Sequence, residues 1–192
     1  MDKINNSLPD LLQNLNADNW GQCANAIMTT DTVPKVISRQ LDIDGVLITI
    51  TGIAKGSGMI RPEMATMLAF IGTDAVLDKN AQDGLLSEAM KRSFNRICVD
   101  GDMSTNDACV LIATGKAGNK RIDKVNDTNY DQFAHALYEV CEFLAQAIVR
   151  DGEGVTKFVQ ITVAGGASSD ECLNVAYAVA RSPLVKTALF AS

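Results

Sequence analysis

The chain has 192 residues, 47% hydrophobic and 21% charged, with a net charge of −6 and a pI near 4.7. This composition excludes a disordered chain and supports one domain with a substantial core. Lys and Arg are scattered, which excludes the clustered positive charge of a nucleic-acid binder. No apolar run is long enough to span a membrane, and Met1-Asp2-Lys3-Ile4 opens no secretory segment, so a cytoplasmic protein is expected.

Leu8, Leu11, Leu12 and Leu15 recur at helical spacing, with Ser7 as the expected N-cap and Pro9 in the first turn. A second helix follows Asp18, with Trp20, Cys23, Ala24 and Ile27 predicted inward, and Pro34 marks its end. From Val36 to Ile53 the period shortens to two. Asp44-Gly45 divides this stretch into a hairpin, and the β-branched run from Val46 makes the second strand. Gly52 to Pro62 is predicted as a loop, and Ala65 to Ile71 as a buried strand.

A helix is expected over Ala81 to Ile97, a polar loop over Asp100 to Asp107 and a strand over Ala108 to Ala113. Asn119 to Asp127 is charged and read as exposed. Tyr130, Phe133, Ala134, Leu137, Val140, Cys141, Leu144, Ala145 and Ile148 then keep one helical face apolar for about five turns. Asp151-Gly152-Glu153-Gly154 stops that helix. Phe158 to Val163 is predicted as a strand and Asp170 to Ala180 as a helix. The fold class is α+β, a layered sandwich with mixed sheets and helices packed outside.

Cys23, Cys98, Cys109, Cys141 and Cys172 are odd in number and form no Cys-x-x-Cys pair, a pattern of reduced, buried thiols. With His135 as the single histidine, no metal site is expected. Nor does His135 have a sequence partner for a Ser-His-Asp triad. Gly56-Ser57-Gly58 lacks the rest of a P-loop, and Arg61 stands where a third dinucleotide-binding glycine would be. Asp100, Asp102, Ser104 and Asn106 begin like a calcium loop, but Thr105 and Leu111 occupy its glycine and glutamate positions. The better reading is a turn capped by its own side chains. Glu153 is either an exposed turn acid or a carboxylate aimed into a cleft. Thr66, by residue type alone, is ordinary strand filler whose hydroxyl needs a base to become nucleophilic.

GIAKGSGMIRPEMATMLAFIGTDA, from Gly52 to Ala75, resembles the cleavage and active-site segment of the ornithine acetyltransferase family, the bifunctional glutamate N-acetyltransferases of arginine biosynthesis. AIMTTDTVPK (Ala26 to Lys35), CVDGDMSTND (Cys98 to Asp107), LAQAIVRDGEGVTKF (Leu144 to Phe158) and SPLVKTALF (Ser182 to Phe190) resemble further family segments, in family order, across nearly the whole chain. The resemblance implies self-cleavage between Ala65 and Thr66, giving 1–65 and 66–192. It further implies that Thr66 is the nucleophile, with its new α-amine as base. Acetyl would pass from N-acetylornithine to Thr66 and then to glutamate, releasing ornithine, with ping-pong kinetics.

By the same resemblance Thr29 contacts substrate, Lys55 holds a substrate carboxylate and Glu153 meets its amino group. Together with Thr66 these make the expected substrate-binding set. No cofactor is implied. Acetyl-CoA is a donor for bifunctional members and not for monofunctional ones, a choice the sequence leaves open. Family members pair their two cleaved chains and then dimerise, so a homo-oligomer or a heterotetramer of cleaved chains is expected.

The family's oxyanion-hole Thr-Gly pair lies in a segment before Met1, and its C-terminal asparagine and hydroxyl residue lie after Ser192. The expectation is a single incomplete domain over 1–192 that is inactive by itself and can stay uncleaved, since losing an oxyanion donor costs about 10²–10³ in rate. Two alternatives stand beside this reading. One is a self-processing N-terminal-nucleophile amidohydrolase or aminopeptidase. The other is a non-catalytic truncated domain that associates through exposed sheet edges.

Overall fold

A computed structural model of the chain describes residues 2–60, 67–101, 106–123 and 127–191. The predicted cleavage bond at Ala65 and Thr66 lies outside the described residues, as does 102–105 of the polar loop. Strand β1 (Lys35–Ile43) and strand β2 (Val46–Lys55) form the expected hairpin, paired antiparallel from Ile43↔Val46 to Lys35↔Ala54. Its turn needs positive φ at both central residues, and Asp44 (54°) and Gly45 (80°) supply it. Strand β3 (Leu68–Thr73) adds antiparallel to β2, and β4 (Ala108–Ala113) adds parallel to β3. A parallel pair needs a crossover, and helix α3 (Lys79–Arg92) lies within it. The result is one mixed sheet in the order β1-β2-β3-β4.

Helix α4 (Thr128–Arg150) lies across β1 and β2. Asp127 caps it through the Asn129 amide at 2.9 Å. All nine residues of the predicted apolar stripe are buried, each large one contributing about 1.5–3 kcal/mol. Gly52 of β2 lets the helix approach closely, because a Cβ there would sit 2.9 Å from both Leu144 and Val140. On the opposite sheet face, helix α2 (Trp20–Ala26) places Trp20 over Gly72, where a Cβ would meet the indole at 2.9 Å. The α+β class and the mixed sheet with packed helices are as expected.

Several boundaries differ, each for a tertiary or local reason. Helix α1 (Asp2–Gln13) already contains Ser7, so Ser7 is no N-cap. Its hydroxyl bonds back to the Lys3 carbonyl at 2.9 Å, and Pro9 sits mid-helix. Leu8, Leu11, Leu12 and Leu15 are exposed. In α2 only Ala24 is buried, while Cys23 faces outward. β2 continues through Lys55, because pairing with β1 and β3 holds residues 52–55 extended. α3 stops at Arg92, where the Ser93 hydroxyl caps the Ala89 carbonyl.

Asn119 and Ile122 are buried, against the exposed reading of that stretch. Asn119 Oδ1 accepts the Val76 amide at 2.8 Å, and Ile122 bridges to Leu77. Residues 158–163 have no strand partner among the described residues and are irregular. Helix α5 (Ser169–Ala180) is as expected, and helix α6 (Pro183–Ala191) was not anticipated. All five cysteines are free; Cys141 is buried, Cys98, Cys109 and Cys172 are partly buried, and Cys23 is exposed. Burial pushes the Cys109 thiol up to about 12 and raises that of Cys141 as well.

Two glycine substitutions should separate with opposite signs in urea unfolding. Gly52→Ala overpacks the α4–β2 contact and should cost about 1–3 kcal/mol. Gly84→Ala, on the exposed side of α3 with only an ordinary 3.7 Å contact to the Tyr130 hydroxyl, should gain about 0.5–1 kcal/mol.

Candidate active site

The site lies where β1 starts, β2 ends and α4 ends. The hairpin returns Lys55 beside Lys35, with Lys35 paired to Ala54. α4 begins near the hairpin turn, where Asn129 Nδ2 donates to Asp44 at 2.7 Å. Its 23 residues span about 35 Å, slightly more than the roughly 30 Å of a nine-residue strand. Asp151 therefore arrives at the opposite end of β1, against Lys35.

At that corner the Lys35 ammonium is buried between two carboxylates. It lies 2.7 Å from Asp31 and 2.6 Å from Asp151, and the three side chains are 1%, 1% and 6% exposed. Its third proton reaches the Val33 carbonyl at 3.3 Å. Asp31 also accepts the Gly56 amide at 2.7 Å and the Thr29 amide at 3.3 Å. Asp151 also accepts the Thr32 amide at 2.9 Å and the Thr32 hydroxyl. Burial alone would raise both acids. The hydrogen bonds they accept and the Lys35 charge outweigh it, holding both carboxyls below their ordinary value.

Three of the predicted substrate contacts border this cluster. Lys55 Nζ donates to Thr29 Oγ1 at 3.2 Å, so these two residues meet although 26 positions apart. Glu153 docks through its amide on the Ser57 carbonyl at 2.8 Å, while the Ser57 hydroxyl donates to the Asp151 carbonyl at 2.8 Å. The Glu153 carboxyl lies over Gly58, where a Cβ would approach it to 3.1 Å. Glu153 is thus solvent-exposed and also aimed at the loop that leaves β2. Thr66 itself lies outside the described residues.

The described residues on either side of 61–66 are anchored. Met59 and Ile60 donate their amides to Asp100, and the Ile60 carbonyl accepts from Val99 at 2.8 Å. Met59 carries a φ of 54°, a left-handed conformation costing about 1–3 kcal/mol for such a residue. On the far side, the Met67 amide donates to Asp107 Oδ1 at 2.7 Å. Asp107 Oδ2 is buried with no hydrogen-bond partner among the described residues. Burial raises the Asp107 carboxyl, partly countered by the Met67 amide and the Lys55 charge.

Sequence reasoning missed Asp31, Lys35, Asp100, Asp107 and Asp151 as site residues. Asp31 and Lys35 sit in the quoted AIMTTDTVPK segment, and Asp151 was read only as a helix stop. His135 is exposed on α4, 3.5 Å from Glu139 and away from the site. Among the described residues no group of three His, Cys, Asp or Glu is placed to hold a metal ion. No helix there is long and apolar enough to cross a membrane.

The α+β sheet thus carries a charged corner bordered by Thr29, Lys55 and Glu153. The chain belongs to the ArgJ family, whose model matches residues 1–192. It is 54% identical over its whole length to the arginine biosynthesis bifunctional protein ArgJ of Pseudomonas fluorescens, covering 47% of that protein. It is 55% identical over 185 residues to the protein of the same name from Psychrobacter arcticus, covering 46% of it. The chain thus spans about half the length of the curated relatives it matches. A 2.00 Å crystal structure of the arginine biosynthesis bifunctional protein from Bacillus halodurans is 43% identical. It aligns with 64% of this chain and 57% of that one at a TM-score of 0.61.

The depressed carboxyls give the site an acid limit. Asp31 and Asp151 have folded pKa values below the unfolded one, so their contribution is full above about pH 4 and is lost as pH falls through the folded values. Acid unfolding of the wild type should therefore steepen below about pH 4. An Asp151→Asn variant should show a shallower pH dependence there, measured by urea midpoints across the acid range.

Proposed function

We propose that this chain carries the nucleophile half of an acetyltransferase that moves acetyl from N-acetylornithine to glutamate. The observation that carries the reading is the meeting of Thr29 and Lys55 at 3.2 Å, with the Glu153 carboxyl over Gly58 on the same loop. A lysine and a glutamate flanking one loop suit the carboxylate and the amino group of an amino acid. Family membership over the full chain supports the same reading.

In the proposed mechanism the Thr66 hydroxyl attacks the Ala65 carbonyl, the peptide C–N bond breaks to free the Thr66 amine, and water then hydrolyses the resulting ester, releasing the Ala65 carboxylate and the Thr66 hydroxyl. That amine, about half in its neutral form at pH 8, then takes the hydroxyl proton as Thr66 attacks the acetyl carbonyl of N-acetylornithine. Ornithine leaves, and the glutamate amine takes the acetyl group from Thr66 in a second attack. Lys55 holds the substrate carboxylate, Glu153 its free amine, and Thr29 contacts the substrate beside Lys55. Asp107 fixes the Met67 amide immediately after the nucleophile. Acetyl-CoA is retained as an alternative donor, and paired cleaved chains, further dimerised in the cytoplasm, as the working assembly. Complete turnover is assigned to a protein of the relatives' length.

Intact-mass analysis of the purified chain tests the first step. Two pieces, 1–65 and 66–192, are expected, and Thr66→Ala should leave one uncut species of 20.5 kDa. In a protein of the relatives' length, incubation with N-acetylornithine should add one acetyl group to the piece that begins at Thr66. A wild-type chain that stays whole under all conditions would remove self-processing from the proposal.

A further inference from the structure

We infer that the buried Asp31–Lys35–Asp151 triad is a positioning device that sets Thr29, Lys55 and Glu153 at a common spacing. The inference rests on the proposed ligand only for what the device positions. The device itself stands on the geometry. Each member holds a different part of the site. Asp31 takes the amides of Thr29 and Gly56, the second of these next to Lys55. Asp151 takes the Thr32 amide and hydroxyl, and Glu153 follows it by two residues. Lys35 joins the two acids at 2.7 and 2.6 Å. The Ser57 hydroxyl and carbonyl then stitch the β2 loop to 151–153.

Three segments distant in the chain, 29–33, 55–58 and 151–153, are therefore locked through one ammonium. Burying charge is no route to stability in itself, since well-packed apolar groups of similar volume often do as well. What apolar groups cannot supply is directed acceptors for backbone amides. Here Asp31 and Asp151 together accept the amides of Thr29, Thr32 and Gly56, so the ion pairs specify loop geometry as well as holding charge. None of the three need touch substrate. They act through Thr29, Lys55 and Glu153, and are positioning residues.

Hydrogen exchange read by mass spectrometry, with calorimetric titration of N-acetyl-L-ornithine, tests this on the full chain. In Asp151→Asn the amide oxygen can still accept from Lys35 and the Thr32 N–H, and the amide nitrogen can donate to the Thr32 hydroxyl, whereas Asp151→Leu removes every one of these bonds. The Leu variant should speed exchange by about tenfold or more in 29–33 and in 55–58 together, with α4 core amides unchanged. The Asn variant should stay near wild type. Speeding confined to Thr32 and Val33, whose amides donate to Asp151 directly at 2.9 and 3.4 Å, would show separate local contacts and overturn the inference. If Asp151→Leu does not fold, Asp31→Asn serves instead. It sets an amide group against the Thr29 N–H or the Lys35 ammonium, so faster exchange should reach 151–153, and unchanged exchange there is the overturning result.

In the titration, Asp151→Leu should bind about tenfold more weakly, and Asp151→Asn should recover wild-type affinity to within about threefold. Equal affinity in the Leu variant, despite opened loops, would deny the triad a positioning role. If the wild type takes up no N-acetyl-L-ornithine, the proposed ligand fails while the exchange result still judges the triad.

Discussion

The packing of α4 on the β1–β2 hairpin determines where the charged corner of the sheet forms. Its apolar stripe, from Tyr130 to Ile148, is wholly buried, and Gly52 lets the helix close on the sheet. Because the helix and β1 have nearly matched lengths and run in opposite directions, the end of the helix meets the start of β1. Burial energy thereby delivers Asp151 to Lys35 and Glu153 to the loop that follows Lys55. A helix one turn shorter would leave that corner about 5 Å short and the charges unpaired.

Once there, the corner is held by polar contacts that depend on low solvent access. Lys35 satisfies all three of its protons, and both of its acid partners also accept backbone amides. This matters because breaking a buried pair leaves an uncompensated charge, a far larger penalty than loss of a surface ion pair. The surface pairs Lys79–Asp83 and Arg92–Glu88 are of the second kind. The apolar residues of α1 and the face of β4 bearing Val110 and Ile112 are exposed and contribute little to this chain's own core.

The helical stripe of α4, the Asp44-Gly45 turn and the β-branched run from Val46 were legible because each is a local signal with a strong period or a forced φ. The 158–163 segment was misread because β-propensity needs a partner strand to be realised, and none lies beside it among the described residues. Ser7 was misread because a cap residue is as competent to bond back within a helix as to start one. Asn119 and Ile122 looked exposed because charged neighbours surround them in sequence, while their contacts are to Val76 and Leu77.

Thr29, Lys55 and Glu153 were named from family resemblance, and no periodicity would have singled them out. By itself the sequence determined the α+β class, the hairpin, the long buried helix and the family. These follow from local pattern and motif, which are properties of neighbouring residues. Only the tertiary structure decided that Asp31, Lys35 and Asp151 share one buried site, since the contact between Lys35 and Asp151 spans 116 positions. An ion pair at that separation leaves no trace in spacing. It exists because the burial of one apolar helix face carries two distant charges to the same end of a sheet.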